Sequence, residues 1–242
     1  MNELLQHNQT EEGEDEVFLT TLRCGDFEVS LETAESDSNA EKITLFATHI
    51  WKGCVSLAEV LIEVRESIQN KAVLEFGAAS GLPSIITAKC GAAKVCASDY
   101  PSQEVIDTLK RNVKRNGMDN LVTVVPHIWG SDVSSLLAEN CGRKYDVIVM
   151  AECVWRHDCH DDLILSVKSC LKEEGRLLMT YSHHVPGCED ADDAFCRKVE
   201  ECGFFLREKR ILRIPHQWKP DEMKSLFFCD FTFQPKVFEA PH

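Results

Sequence analysis

No run of about 18 apolar residues occurs anywhere in this sequence, so none of it reads as a membrane-spanning helix. The opening MNELLQHNQTEEGEDEV has neither a basic start nor an apolar core, so it is not expected to be a secretory signal. Cations are scarce. Against 40 Asp and Glu stand 26 Lys and Arg, a formal net charge of −14. That balance argues against nucleic acid as a partner, because phosphate binding depends on clustered cations that release counterions. It suits a basic partner, and equally a surface kept soluble by repulsion. The 12 cysteines include no C-x-x-C pair. Cys54, Cys90, Cys96, Cys153, Cys170, Cys196 and Cys202 lie inside apolar periodic segments, where a free thiol behaves as a small hydrophobe. The cluster Cys153, His157, Cys159, His160 lacks the paired spacing of a structural zinc site, so no metal is expected. Reduced thiols fit a cytosolic or nuclear protein, and the cytoplasm is the expected location.

What remains is a chain of 242 residues, 44% hydrophobic and 27% charged, the balance of a globular protein with one core. Residues 1–16 are rich in Glu and hold no Lys or Arg, which predicts a disordered acidic tail. Residues 17–242 read as a single domain. Within it, 17–42 form a β-hairpin turning at Cys24-Gly25-Asp26, followed by a polar loop. Helical spacing of Val55, Leu57, Ala58, Leu61 and Ile62 predicts a helix from about residue 51 to 66. Short apolar strands then alternate with helices: KAVLEF, KVCASD, LVTVVPHI, YDVIVMAE and RLLMTYS are the strands. One of the intervening helices is expected over 161–174, stopping at Gly175. FFLREKRIL and SLFFCDFTF close the chain without a helix between them. The expected fold is α/β: a Rossmann-like, seven-stranded, mostly parallel sheet with a C-terminal antiparallel hairpin, helices on both faces and an N-terminal β-hairpin extension.

In such a sheet, ligands bind beyond the carboxyl ends of the strands, where the strand order reverses. The loop there is VLEFGAASGLPSI. Gly77 and Gly81 let the backbone turn sharply and approach a ligand, and Ala78 and Ala79 keep the loop small. A dinucleotide is disfavoured, because Ala79 and Leu82 stand where G-x-G-x-x-G needs glycine and Glu75 would repel a pyrophosphate. Glu75 instead suits an amine, and Asp99, ending the second strand of the series, suits both hydroxyls of a ribose. S-adenosylmethionine carries an ammonium, a sulfonium and a ribose, and no phosphate. It is the cofactor that this acidic loop fits.

The motifs resemble those of the seven-strand S-adenosylmethionine-dependent methyltransferases, and within them methyltransferase family 16, the lysine methyltransferase-like group. LFATHIWKGCVSLAEVL, VLEFGAASGLPSI, ASDYP, HIWG and DVIVMAECVW carry the likeness, over about residues 43–233. LPSI, SDYP, IWG and YSHHVPG are similar to the nicotinamide-N-methyltransferase-like branch. The resemblance implies that Trp51 lies over the cofactor, that Trp129 sits on adenine and that Ala151 lines the pocket. Glu152 and Trp155 would then stand at the family's D-x-x-Y/F motif, a longer acid and a larger ring in the same roles. Trp155 would stabilise the cation formed as methyl transfers, an interaction worth about 0.5–2 kcal/mol, and Glu152 would orient the amine. The branch includes an enzyme acting on the N-terminal glycine and adjacent lysine of elongation factor 1-alpha. A monomeric enzyme for a lysine or N-terminal amine of that factor, or of another basic translation-related protein, is thus the leading expectation. A small-molecule N-methyltransferase of nicotinamide-like substrates and a non-catalytic cofactor-binding scaffold are the alternatives. His183, His184, His157 and Trp218 border the expected substrate path or merely pack; their positions in the sequence do not decide between the two.

Overall fold

The computed structural model describes residues 19–34 and 47–234. The acidic tail, most of the polar loop after the hairpin and the start of the segment leading to Trp51 lie outside the described residues. β1 (Thr20–Cys24) and β2 (Phe27–Leu31) form the N-terminal hairpin, turning at Gly25 and Asp26. α1 (Lys52–Glu63) leads to β3 (Ala72–Phe76), α2 (Leu82–Lys89), β4 (Lys94–Asp99), α3 (Gln103–Arg115) and β5 (Val122–Pro126). After these come α4 (Ser134–Ala138), β6 (Tyr145–Ala151), α5 (His160–Cys170), β7 (Leu171–Tyr181), α6 (Glu189–Glu201), β8 (Phe204–Pro215) and β9 (Met223–Phe233).

The large sheet has seven strands in the order β5-β4-β3-β6-β7-β9-β8. Pairings from β5 to β7 are parallel, and β9 runs antiparallel between β7 and β8. The chain builds outward from β3 to β5, then returns to lay β6 on the other side of β3. That reversal leaves a crevice at the carboxyl ends of β3 and β6.

Strand alternation divides the core in two, because successive side chains point to opposite faces. Val73, Val95, Val147 and Val149 join the core under α1, α2 and the hairpin, whereas Leu74, Cys96, Ile148 and Met150 join the core under α5 and α6. The hairpin is fastened to α3 by side-chain amides acting as surrogate strand partners. Asn112 Oδ1 accepts from Glu32 N (2.9 Å) and its Nδ2 donates to Glu32 O (2.8 Å); Asn116 does the same for Ser30 (3.1 and 2.8 Å). Asn112 Nδ2 also reaches Ser80 O (3.0 Å), so the hairpin and the loop after β3 share one anchor. Buried Glu32 is closed by Arg111 and Arg115.

Two elements differ from the sequence expectation. α5 stops at Cys170, and LKEEG belongs to β7: Leu171 pairs with Tyr145, then the register jumps to Arg176 opposite Val147. KEEG has helical propensity, but pairing of Leu171 in the sheet and the Lys172–Asp146 ion pair (2.6 Å) capture it as a bulge, with Glu174 at φ 57°. The closing hairpin is also longer than its apolar runs, since Arg213, Ile214 and Pro215 pair with Ser225, Lys224 and Met223.

Candidate active site

The carboxyl ends of β3, β4, β5 and β6 border one cavity. Its floor is the loop after β3, where Gly77 (φ 68°), Ala79 (φ 45°) and Gly81 (φ 83°) all take the left-handed conformation. The loop is bonded to the neighbouring strand: Ala78 N donates to Ser98 O (3.0 Å) and Ala79 N to Asp99 Oδ2 (2.7 Å). A Cβ on Gly77 would come within 2.6 Å of Cys153 Sγ, so that position admits no side chain. Gly81 has a different reason. It faces α3, where a Cβ would meet Leu109 Cδ1 at 2.5 Å. Gly77 and Ala79 line the cavity, and Ala78 and Gly81 shape the loop from behind.

Glu75 also lies one layer down, buried beneath the loop. Its Oε2 accepts from Ser84 Oγ (2.5 Å), and its Oε1 has no partner. Burial pushes its carboxyl up to about 8; the Ser84 bonds hold it back, and the Asp99 charge adds to the rise. Asp99 lines the cavity itself, with Oδ1 accepting from Tyr100 N (2.7 Å) and Oδ2 from Ala79 N. It does not cap α3, which opens at Ser102 without a side-chain cap. Burial pushes Asp99 above its ordinary value and the two amides oppose the rise. Among the described residues no ion pair reaches either acid.

The walls are Trp129 after β5, Ala151 at the end of β6, and Trp51 immediately before α1. Sequence reasoning passed over His127 and Ile128, which also line the cavity. His127 is buried, sits 3.1 Å from Ser166 Oγ, and is held below its ordinary pKa by burial, with Asp132 opposing. It therefore presents a neutral ring. The thiols of Cys54 and Cys153 line the cavity and are pushed well up, by burial first.

Glu152 closes the far end. It has φ 55° and its backbone N donates to Thr180 O (2.8 Å). The carboxylate is held by Ser182 N (2.9 Å), Ser182 Oγ (2.9 and 3.0 Å) and His184 Nε2 (2.8 Å). Lys224 Nζ donates to the same hydroxyl (2.8 Å). Burial pushes this acid up, but His184, Lys224 and Ser182 outweigh burial and keep it below its ordinary value. It is an ionised acceptor, not a strong base. The seat exists because residue 53 is glycine, where a Cβ would stand 2.1 Å from Glu152 Oε1. Trp155 lines the cavity beside it, with the Arg156 guanidinium 5.5 Å from its ring centroid.

His157 and His183 both bond Asp192, at 2.8 and 3.0 Å. This buried acid on α6 joins the segment carrying Trp155 to the one carrying Ser182 and His184. Ser182, Lys224 and Gly53 gave no signal in the sequence, since only the fold brings them to Glu152.

The strand order, the left-handed loop and the cavity at the reversal define a methyltransferase-type α/β fold. Solved structures agree: precorrin-6y C5,15-methyltransferase from Geobacter metallireducens matches with TM-score 0.57 and 16% identity, over 81% of this chain and 93% of that one. SMU.776, a methyltransferase solved with SAH, matches with TM-score 0.61 and 17% identity, over 92% of this chain and 57% of that one. A family model described as lysine methyltransferase matches residues 32–202, and the chain belongs to that family. Among its relatives is a protein N-terminal and lysine N-methyltransferase of Kluyveromyces lactis, 32% identical over 190 residues, 71% of this chain and 69% of the relative. The relative of that name in Cryptococcus neoformans is 32% identical over 179 residues, 66% of this chain. The chain spans 60% of that relative's length.

Proposed function

We propose that this chain is an S-adenosylmethionine-dependent protein N-methyltransferase acting on a lysine, an N-terminal amine, or both. One observation carries the reading: a single cavity is lined along one side by Asp99, bonded to two backbone amides, and on the other by the Glu152–Trp155 pair, with Glu75 buried beneath its floor. Glu75 beneath the floor keeps one oxygen without a hydrogen bond, and a cation bound above it would favour its ionised form. Among the described residues the one Lys or Arg that lines the cavity is Arg156, whose guanidinium is already paired with Asp158 (3.0 and 2.9 Å). These residues fit S-adenosylmethionine: Asp99 would take the ribose hydroxyls, Gly77 and Ala79 the close backbone approach, and Trp51 and Trp129 the flat walls.

When bound, the cofactor supplies an electrophilic methyl on a sulfonium. The acceptor amine must arrive neutral, and holding it in line provides most of the rate gain. Glu152 accepts a hydrogen bond from that amine and balances the positive charge that forms on it. Trp155 offers an aromatic face to the same charge. A protein α-amine, with a pKa of about 7.7–8.0, meets the neutrality requirement more easily than a lysine at about 10.4.

The relatives' names support a protein amine as substrate. Elongation factor 1-alpha, or another basic translation-related protein, is the partner that we propose, with a monomeric enzyme working in the cytoplasm. Labelled S-adenosylmethionine added to this protein with a proteome from cells lacking it tests the reading. A labelled protein band is expected. Label confined to the small-molecule fraction, or none with any fraction, would overturn it.

A further inference from the structure

Beside the cavity, and sharing Trp51 as a wall, lies a groove of about 400 Å3. Its other walls are His49, His183, His184, His216, Trp218 and Lys224, with Val185 and Gln217 between them. In a chain with 40 acidic residues, no carboxylate lines this groove among the described residues. Two acids behind the groove are already bonded, Glu152 to His184 and Asp192 to His183, and Glu222, exposed on the loop that carries Trp218, is paired with Lys219 (3.1 Å). Lys224 gives one proton to Ser182 Oγ, and an ammonium carries three.

The groove is preorganised. Gln217, on the loop between β8 and β9, accepts from Lys52 N (3.2 Å) and donates to Ile50 O (3.3 Å). Trp218 stands edge-on to His49 (4.7 Å) and Trp51 (6.1 Å), yet is 59% exposed. A fixed, exposed tryptophan at the rim of a groove has the character of a binding anchor, because it offers large area at small entropic cost.

Resting on the methyltransferase reading, we propose that this groove seats the extended polypeptide flanking the target amine and selects carboxylate-bearing over cationic residues there. The protein's acidity as a whole would draw a basic partner; the groove beside the chemistry asks for the opposite charge. A carboxylate of the substrate meets the Lys224 ammonium and the Nε2–H of His216, whose Nδ1 accepts from Trp218 N (3.2 Å), whereas an arginine finds no carboxylate lining the groove. The same local charge disfavours an incoming ammonium and so favours the neutral nucleophile.

Two synthetic peptide series of equal length decide the matter, each offering a free α-amine and one lysine. In one series the residues flanking each amine are glutamate, in the other arginine. Both methyl transfer and peptide binding to protein loaded with S-adenosylhomocysteine are measured. The glutamate series is expected to be preferred about tenfold, and Lys224→Glu to erase or invert that preference. Trp218→Ala is expected to weaken peptide binding about tenfold while leaving S-adenosylhomocysteine affinity unchanged. Equal or better use of the arginine series, or an unaltered Trp218→Ala variant, overturns the proposal. If neither series binds while S-adenosylhomocysteine does, the groove proposal falls and the methyltransferase reading stands. If S-adenosylhomocysteine does not bind, that reading fails and takes the groove's role with it.

Discussion

The two halves of the cavity solve opposite electrostatic problems. On the β3–β4 side, Glu75 and Asp99 are surrounded by backbone and hydroxyl groups, and burial raises both pKa values. On the β6–β7 side, Glu152 is equally buried, but His184, Lys224 and Ser182 bring its pKa down. In the first half Glu75 keeps its proton up to about pH 8 and Asp99 is raised as well, so a cationic cofactor would draw both toward their ionised forms. The second is already neutralised from behind, so its carboxylate can orient an amine without trapping it as an ammonium. Burial sets the size of each effect, and the neighbours set its sign.

Removing Glu152 should separate the halves most sharply. Glu152→Ala is expected to lower turnover about 10²–10³-fold, while S-adenosylhomocysteine affinity by calorimetry changes less than about threefold. Asp99→Asn should do the reverse. Cofactor affinity is expected to fall about 10–100-fold, as for a lost hydrogen bond to a charged group, with turnover at saturating cofactor nearly retained. If both variants lost affinity equally, the division into halves would be wrong. Asp192→Ala probes the join instead. With the His157–Asp192–His183 bridge gone, KM for the acceptor should rise about five- to tenfold and amide exchange should quicken over 153–160 and 182–188. Cofactor affinity should not move, and Asp192→Asn should restore part of the loss.

The half proposed to face the cofactor was legible in the sequence because its residues follow successive strands. Gly77, Ala79 and Gly81 sit in one loop, Asp99 ends the next strand, and Trp129 and Ala151 end the following two. The order of strands and helices placed Gly77, Gly81 and Asp99, and the family resemblance pointed to Trp129 and Ala151. Two refinements needed coordinates: Glu75 lies beneath the loop rather than in the cavity, and Gly81 serves helix packing. The acceptor half was legible as Glu152 and Trp155, with His184 named and its role left open. Its determinants, Gly53, Ser182, His184 and Lys224, come from three separate segments, and their meeting depends on how α1 and the closing hairpin settle on the sheet. Likewise the KEEG segment before β7 reads as helix locally and is a bulge because of a partner strand.

A gentler test uses pH. The Glu75 carboxyl, ordinarily at 4.5, is raised to about 8 in the folded ligand-free protein. Between those values the folded state keeps a proton that the unfolded chain has released, so raising the pH favours unfolding. This contribution is favourable below about 4.5 and is lost progressively up to about 8. Glu75→Gln, which cannot ionise, should flatten the fall in thermal midpoint across that window. A variant with the same slope as the parent would show that the unpartnered oxygen is satisfied in solution.

The smallest effect concerns Ala79, the loop residue that departs from glycine. Its φ of 45° puts a Cβ where L-residues are strained, at a cost of about 1–2 kcal/mol. Ala79 N donates to Asp99, and the residue lines the cavity, so its conformation is enforced by the contacts that make the cofactor half. Ala79→Gly should relieve the strain but give the unfolded chain more freedom, and the two effects oppose each other. Net stabilisation of under about 1 kcal/mol is expected, with S-adenosylhomocysteine affinity unchanged. A loss of affinity instead would mean that the methyl group itself touches the cofactor. The loop would then read its ligand through a side chain as well as through its backbone.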